Sequence, residues 1–412
     1  MAIKTKKSIN TILTKLKMHS PSTKLFGLFL TLTGSTWLLS WHLTSLTSNL
    51  ISNNELITKH QLLLYSPWWK SFNGFYGPYY LLLHLTHTLD RSVYGFRLAS
   101  LIVGVLSVAA VYWTVSAWHG FKIGLLAALI CLTSFGVLAS SREASPLISQ
   151  ILIAAFLLMS VSLINQNTTK TSLSFFILVL IVSIYEPGGI WLALVALALS
   201  HKAFIGAYKS QPRYFKIALP ISSLLLVLPL SYQLIRHYSG DQLYNLLGYG
   251  LGTKSVNTIW HSFFLNFIHI PSDLFFRSEN LGLNLSLGHL PLIPIAFSIL
   301  FVLGLYSYIA RFNNWRWRSV VVFLASIWLL ASFGVFSSLA MLPLVAVTAG
   351  TGLAFILKEW YIVFPRNPIA RFAGLLIMFA VVSLSAIYEI RSYYVAWAYD
   401  PSVISSYSDK LK

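Results

Sequence analysis

Apolar runs of membrane-spanning length recur along almost the whole of this chain, and no other feature limits its fold so strongly. A helix needs about 20 apolar residues to cross a bilayer. Runs of that kind lie near 25–44, 94–117, 122–140, 147–164, 171–185, 188–204, 217–235, 291–310, 319–336, 338–357 and 372–389. The chain is 56% hydrophobic and 10% charged, whereas soluble domains carry about a quarter charged residues. In lipid every backbone polar group needs an internal partner, so helices are the simplest spanning structure. The expected fold is all-α: a polytopic transmembrane bundle of about 11 spans. The run Tyr79–Leu89 is too short to cross and predicts an interfacial helix in the first outer loop. Tyr185-Glu186-Pro187-Gly188-Gly189 divides either two short spans or one long kinked helix.

Charge distribution chooses between these. The net charge of +18 would suit a polyanion such as nucleic acid, but lysine and arginine also concentrate in cytoplasmic loops of membrane proteins. With the N-terminus inside and the ambiguous pair kept as two spans, the inner segments hold 18 of the 29 basic residues and only Glu359 of the 11 acids. The positive charge is then a topology signal, and no nucleic-acid partner is expected. Merging the pair would move Lys202, Lys209, Arg213 and Lys216 to the outer side. The predicted organisation is a basic cytoplasmic N-terminal helix (1–24), a transmembrane module (25–235) with its first outer loop at 45–93, an extracytoplasmic segment (236–290), further spans (291–389) and an extracytoplasmic tail (390–412). Residues 1–24 carry six lysines with Ile9, Ile12, Leu13 and Leu16 at helical spacing, as an amphipathic helix on an anionic leaflet would. The single cysteine, Cys131, lies in an apolar run, which leaves no disulfide framework.

Ten acids and several arginines fall on the outer face, some at membrane depth, where ionisable groups are costly and usually functional. Glu55 is the first loop's only carboxylate before Asp90 and is the candidate general base; a solvated loop acid is the plain alternative. Arg97 and Arg142 sit at outer helix ends. Guanidinium forks fit phosphate oxygens, although interfacial arginines also snorkel to headgroups. Arg91 is an auxiliary candidate. His84 and His87 are spaced i, i+3 without a third ligand, so no metal site is expected. Trp68 and Trp69 read as interfacial anchors. The chain has no phosphate-cradling glycine loop and no nucleophile elbow, which argues against an ATP-driven transporter or a membrane protease.

In their order along 25–205, these features resemble the GT-C superfamily of membrane glycosyltransferases, and most of all its protein O-mannosyltransferase and lipid A aminoarabinose transferase branch. Asn54-Glu55 stands where that family carries an outer-loop Asp-Glu. Gly77-Pro78-Tyr79-Tyr80 is similar to its Pro-aromatic segment, Phe96-Arg97-Leu98 to its Arg-Leu helix start, and Lys122 and Arg142 to the basic positions that follow. The resemblance implies transfer of a sugar from a polyprenyl-phosphate donor to a glycan, lipid or protein acceptor, with inversion, at the extracytoplasmic side of the plasma membrane. It implies no nucleotide sugar and no cofactor. Glu55 would be the base, Arg97 and Arg142 the phosphate ligands, and Arg91, Asn54 and Tyr79 further substrate-binding residues. The alternatives are a non-catalytic GT-C homologue serving as scaffold or lipid binder, and a lipid or solute carrier.

Overall fold

The computed structural model describes residues 21–47, 50–64, 74–236, 256–278, 287–310 and 314–410. The basic helix expected before residue 21 and the Trp68-Trp69 pair lie outside these residues. In chain order, α1 is Pro21–Ser40, β1 Leu50–Ser52, α2 Asn53–Leu64, α3 Gly77–Leu89, α4 Val93–His119, α5 Phe121–Thr133, α6 Phe135–Arg142, α7 Leu147–Gln166, α8 Lys170–Ile184 and α9 Gly189–Lys209. There follow α10 Arg213–Arg236, α11 Val256–Phe275, α12 Ile295–Ile309, α13 Trp315–Ser332, α14 Leu342–Val363, α15 Pro368–Arg391, α16 Pro401–Ser406 and β2 Tyr407–Lys410.

A helix stands at every predicted span. Six of the described helices (α4, α7, α9, α10, α14 and α15) are long and apolar enough to cross a membrane, and the α5–α6 pair makes seven. The helices α8 and α12 are apolar but shorter, while α1 and α13 fall in neither group. The fold is thus an all-α bundle of an integral membrane protein. Its centre is α4, α7 and α14, whereas α10 and α15 turn apolar side chains such as Leu224 and Phe372 outward. In a bilayer that outer surface meets lipid.

Close packing at the centre depends on small residues, as in other membrane bundles. A Cβ on Gly304 of α12 would stand 2.0 Å from the Thr348 carbonyl of α14, and one on Gly352 would stand 2.0 Å from Leu300 O. Only hydrogen fits at either position.

Two boundaries deserve physical explanation. The run predicted as one span at 122–140 is broken at Ser134, where α5 and α6 meet at 63°. Ser134 Oγ donates to Cys131 O (2.9 Å), and the N–H of Phe135, freed by the break, donates to Glu389 Oε2 of α15 (3.2 Å). A carboxylate at a helix N-terminus satisfies an orphan donor and the helix dipole together. The ambiguous run near Glu186 forms two helices, α8 and α9, packed side by side across a tight turn. Gly188 makes the turn with φ 70°, in the left-handed region.

Outside the bundle, β1 pairs antiparallel with β2, joining the first loop to residues 407–410. The short helix α3 packs along α4, in the place predicted for an interfacial helix.

Candidate functional site

The first loop is organised by a short sequence of caps. Pro78 opens α3 after Tyr76, whose backbone is left-handed (φ 59°). Asp90 accepts from Ser92 N (2.9 Å) and from Ser92 Oγ (2.7 Å), and these bonds hold its carboxyl below the usual range. Ser92 in turn caps α4 by accepting from Tyr94 N (3.1 Å). This start places Arg97 just inside α4, on the side facing β1 and α2.

Glu55, in the first turn of α2, is fully buried and paired with Arg97, itself 2% exposed. Arg97 Nε donates to Glu55 Oε1 (2.7 Å) and Nη2 to Oε2 (2.8 Å), a fork-to-carboxylate bond. Each carboxylate oxygen also accepts one backbone N–H: Oε2 from Ser52 (3.0 Å) and Oε1 from Ala144 (3.0 Å). The remaining guanidinium N–H groups go to Leu43 O (3.0 Å), Thr47 Oγ1 (2.9 Å) and Leu50 O (2.9 Å). A buried pair is tolerable only when its leftover donors and acceptors are satisfied, and here they are. In this arrangement Glu55 has no lone pair directed at a substrate hydroxyl, and Arg97 has no N–H left for a phosphate.

Arg142 behaves similarly. Nη1 donates to Leu39 O (2.9 Å), Trp41 O (2.6 Å) and Tyr394 Oη (2.6 Å), and Nη2 donates to His42 O (2.7 Å). The guanidinium lies over Tyr394 (4.8 Å) and Tyr393 (5.6 Å). These are the orphan carbonyls at the end of α1, where a cation is favoured. They also fix His42 in its left-handed conformation (φ 53°). As placed, the guanidinium expected to bind phosphate caps a helix.

The turn after α6 adds a second carboxylate. Glu143 is 3% exposed, and its Oε1 accepts from Ser52 Oγ (2.5 Å). Tyr407 of β2 closes this side, its ring 6.0 Å from the Arg97 guanidinium. Burial, reinforced by Glu143 and Glu55, pushes the Tyr407 hydroxyl pKa well up. Tyr79 is buried nearby, bonded to Ser100 Oγ (2.8 Å), and its hydroxyl is also raised, first by burial.

Glu55, Arg97 and Tyr79 therefore meet at one end of the bundle, with Arg142 adjoining through the residues next to it in sequence. Asn54 is half-buried one residue from Glu55, and its carbonyl accepts from Thr58 Oγ1 (3.0 Å). Arg91 is exposed at the α3–α4 turn, apart from the cluster. Sequence reasoning missed Glu143 as a site residue, and with it Ser52, Tyr393, Tyr394 and Tyr407. None carries a motif, and 355 residues separate Ser52 from its strand partner Tyr407.

A second polar cluster forms where the α8–α9 turn meets the starts of α3 and α7. Glu186 is buried, and burial raises its carboxyl to about 8, partly offset by Ser149. Tyr76 N donates to Tyr185 O (2.8 Å), Gln150 Nε2 to Tyr76 Oη (3.2 Å), and Ser337 N to Gln150 Oε1 (2.8 Å). Among the described residues, Glu186 Oε2 is a buried oxygen with no hydrogen-bond partner.

No family model and no curated protein matches the sequence. Solved structures do match the fold. ArnT from Cupriavidus metallidurans, bound to undecaprenyl phosphate, aligns with TM-score 0.55 at 11% identity, over 92% of this chain and 76% of that one. The oligosaccharyltransferase of Archaeoglobus fulgidus, in the apo form, aligns with TM-score 0.54 at 15% identity, over 93% of this chain. This chain spans only 56% of that enzyme's length. Both are GT-C glycosyltransferases, and the fold expected from the order of the sequence features is the fold found.

Proposed function

We propose that the protein is a membrane glycosyltransferase that moves a sugar from a polyprenyl-phosphate donor to an acceptor at the extracytoplasmic face of the plasma membrane. The observation that carries this function is the buried meeting of Glu55, Glu143 and Arg97 at one end of a GT-C-like bundle. Carboxylates are rare in this chain, and two in one low-dielectric pocket suit general-base chemistry.

In this proposal Glu143, rather than Glu55, is the base. Its Oε1 is held by a serine hydroxyl, which can rotate away, whereas Glu55 is held by four N–H donors. Glu143 takes the proton of the acceptor hydroxyl as that oxygen bonds to the anomeric carbon. The carbon–oxygen bond to the donor phosphate breaks, its electron pair leaves with the phosphate, and the configuration inverts. Glu55 keeps Arg97 oriented, and Arg97 supplies positive charge behind the reacting centre. Arg142 fixes the end of α1 that frames the loop. Exposed Arg91, apart from the cluster, attracts the donor's phosphate toward the first loop, half-buried Asn54 lines its approach, and Tyr79 shapes the floor.

The alternative is a non-catalytic scaffold or lipid binder of the same fold, favoured by the complete engagement of Arg97 and Glu55. Purified protein in lipid nanodiscs, offered a panel of polyprenyl-phosphate sugars with a mixture of lipid, glycan and peptide acceptors, separates the two. One donor should be consumed, and Glu143→Gln should slow that reaction by roughly 100-fold or more. Consumption of no donor favours the scaffold, and an unimpaired Glu143→Gln enzyme removes Glu143 from the chemistry.

A further inference from the structure

We infer that residues 401–410 form a displaceable strap over the Glu55–Arg97–Glu143 cluster, closed in this structure, whose opening admits substrate. The inference rests on the function proposed above, because it treats that cluster as the place a substrate must reach.

The cluster is sealed: Glu55, Arg97 and Glu143 are 0%, 2% and 3% exposed. Its walls are β1 and the start of α2, the Glu143–Ala144 turn, Tyr79 with Ser100, and the Tyr393–Tyr394 pair at the end of α15. Tyr407 of the strap completes the enclosure over Arg97. Apart from Tyr79, which bonds Ser100, the other walls are tied in by hydrogen bonds to Arg97, Arg142, Glu55 or Glu143. The strap is attached differently.

Its ladder to β1 is short: Leu50 faces Lys410, Ile51 faces Asp409 and Ser52 faces Tyr407, with an irregularity between Ile51 and Ser52. An isolated two-stranded pair is marginal at best. The irregularity leaves Ser408 as an extra residue on the strap, and bulges re-aim side chains; here Tyr407 comes into register with Ser52, the residue whose N–H and hydroxyl hold the two carboxylates. Among the α16 residues whose exposure is described, Pro401, Ser402, Ile404 and Ser405 are exposed and Val403 is buried. A cleft of 550 Å³ separates much of the strap from the first loop, with Val403, Ile404 and Tyr407 on one side and Trp41, His42 and Leu46 on the other. The strap can therefore lift from the ladder without first breaking the ion pair beneath it.

The motion can be measured without any sugar transfer. In an Ile51→Cys/Asp409→Cys protein, oxidation cross-links the facing strands and reduction releases them; the native Cys131 is buried and does not compete. Hydrogen exchange at the Ser52 and Ala144 amides, which donate to Glu55, reports access to the cluster. Exchange should be at least tenfold slower in the oxidised form, and Tyr407→Ala in the native background should accelerate it. Equal exchange in oxidised and reduced protein overturns the strap, since the cluster would then open by some other route or not at all. If the double-cysteine protein does not cross-link, unchanged exchange in Tyr407→Ala overturns it equally. Binding of undecaprenyl phosphate, followed by native mass spectrometry, then tests gating: the oxidised form should bind at least tenfold more weakly, and equal binding in both forms overturns the gate. A strap that governs exchange and binding in a protein that consumes no sugar donor refutes the glycosyltransferase proposal while leaving the strap intact.

Discussion

Replacing Glu55 with glutamine should unfasten the first loop, whatever it does to the proposed chemistry. The carboxylate binds both Nε and Nη2 of Arg97 and takes the N–H groups of Ser52 and Ala144. Glutamine in the same position keeps one oxygen and turns an NH2 group toward donors already in place. Arg97 then keeps its charge at 2% exposure with its counter-ion gone. Breaking a buried pair from one side costs about 3–5 kcal/mol, and the mismatched donors give no compensation. Over 412 residues the unfolding entropy is roughly 0.9 kcal/mol/K if the chain melts as one unit, so the midpoint should fall by roughly 3–6 °C. Tryptophan fluorescence on heating in detergent micelles reads this directly. Arg97→Met added to Glu55→Gln should recover part of the loss, because no charge then remains buried. Glu143→Gln, which keeps an oxygen for Ser52 Oγ, should shift the midpoint by only about 1 °C, while on the proposed function it slows sugar transfer. A Glu55→Gln midpoint within about 1 °C of wild type would refute the view that this pair pins β1 and α2 to α4.

Further outcomes follow from the same geometry. Arg142→Lys keeps the charge but loses the fork that reaches Leu39, Trp41 and His42 together; hydrogen exchange over residues 39–47 should rise clearly, and unchanged protection would show that α1 ends there without Arg142. Glu186 titrates near 8 in the fold because it is buried, against an ordinary carboxyl value of 4.5. The folded state thus binds a proton that the unfolded state releases, and this group's contribution to stability is greatest below pH 4.5, falls as pH rises and levels off above about 8. The span is on the order of 5 kcal/mol. Glu186→Gln should remove that slope, so that its stability relative to wild type grows between pH 5 and 8 on the order of that amount. Parallel pH profiles for the two proteins would mean that Glu186 ionises freely in the fold.

Helix placement was legible because membrane solvation acts residue by residue: an apolar run long enough for the bilayer has little choice but to be a helix. The break at Ser134 was not legible, since what stabilises it is Glu389, more than 250 residues away in sequence. At the site, scarcity of charge pointed to Glu55, Arg97 and Arg142 as unusual, and the structure brings the first two into contact. Their partners had no signature to read. Arg97 and Arg142 are held largely by backbone carbonyls, which every residue owns, so residue types alone could not tell a phosphate ligand from a helix cap. Ser52 and Tyr407 escaped notice because a pairing between three- and four-residue strands leaves almost no pattern.

What the sequence determined by itself is the solvent and the class of fold: apolar runs demand helices in lipid, and the few charged residues stand out against them. What only tertiary structure decided is which donors and acceptors those acids and arginines meet. That depends on carbonyls, turns and a strand brought together from opposite ends of the described chain. Inside a low-dielectric bundle each buried charge must find such partners to remain charged at all.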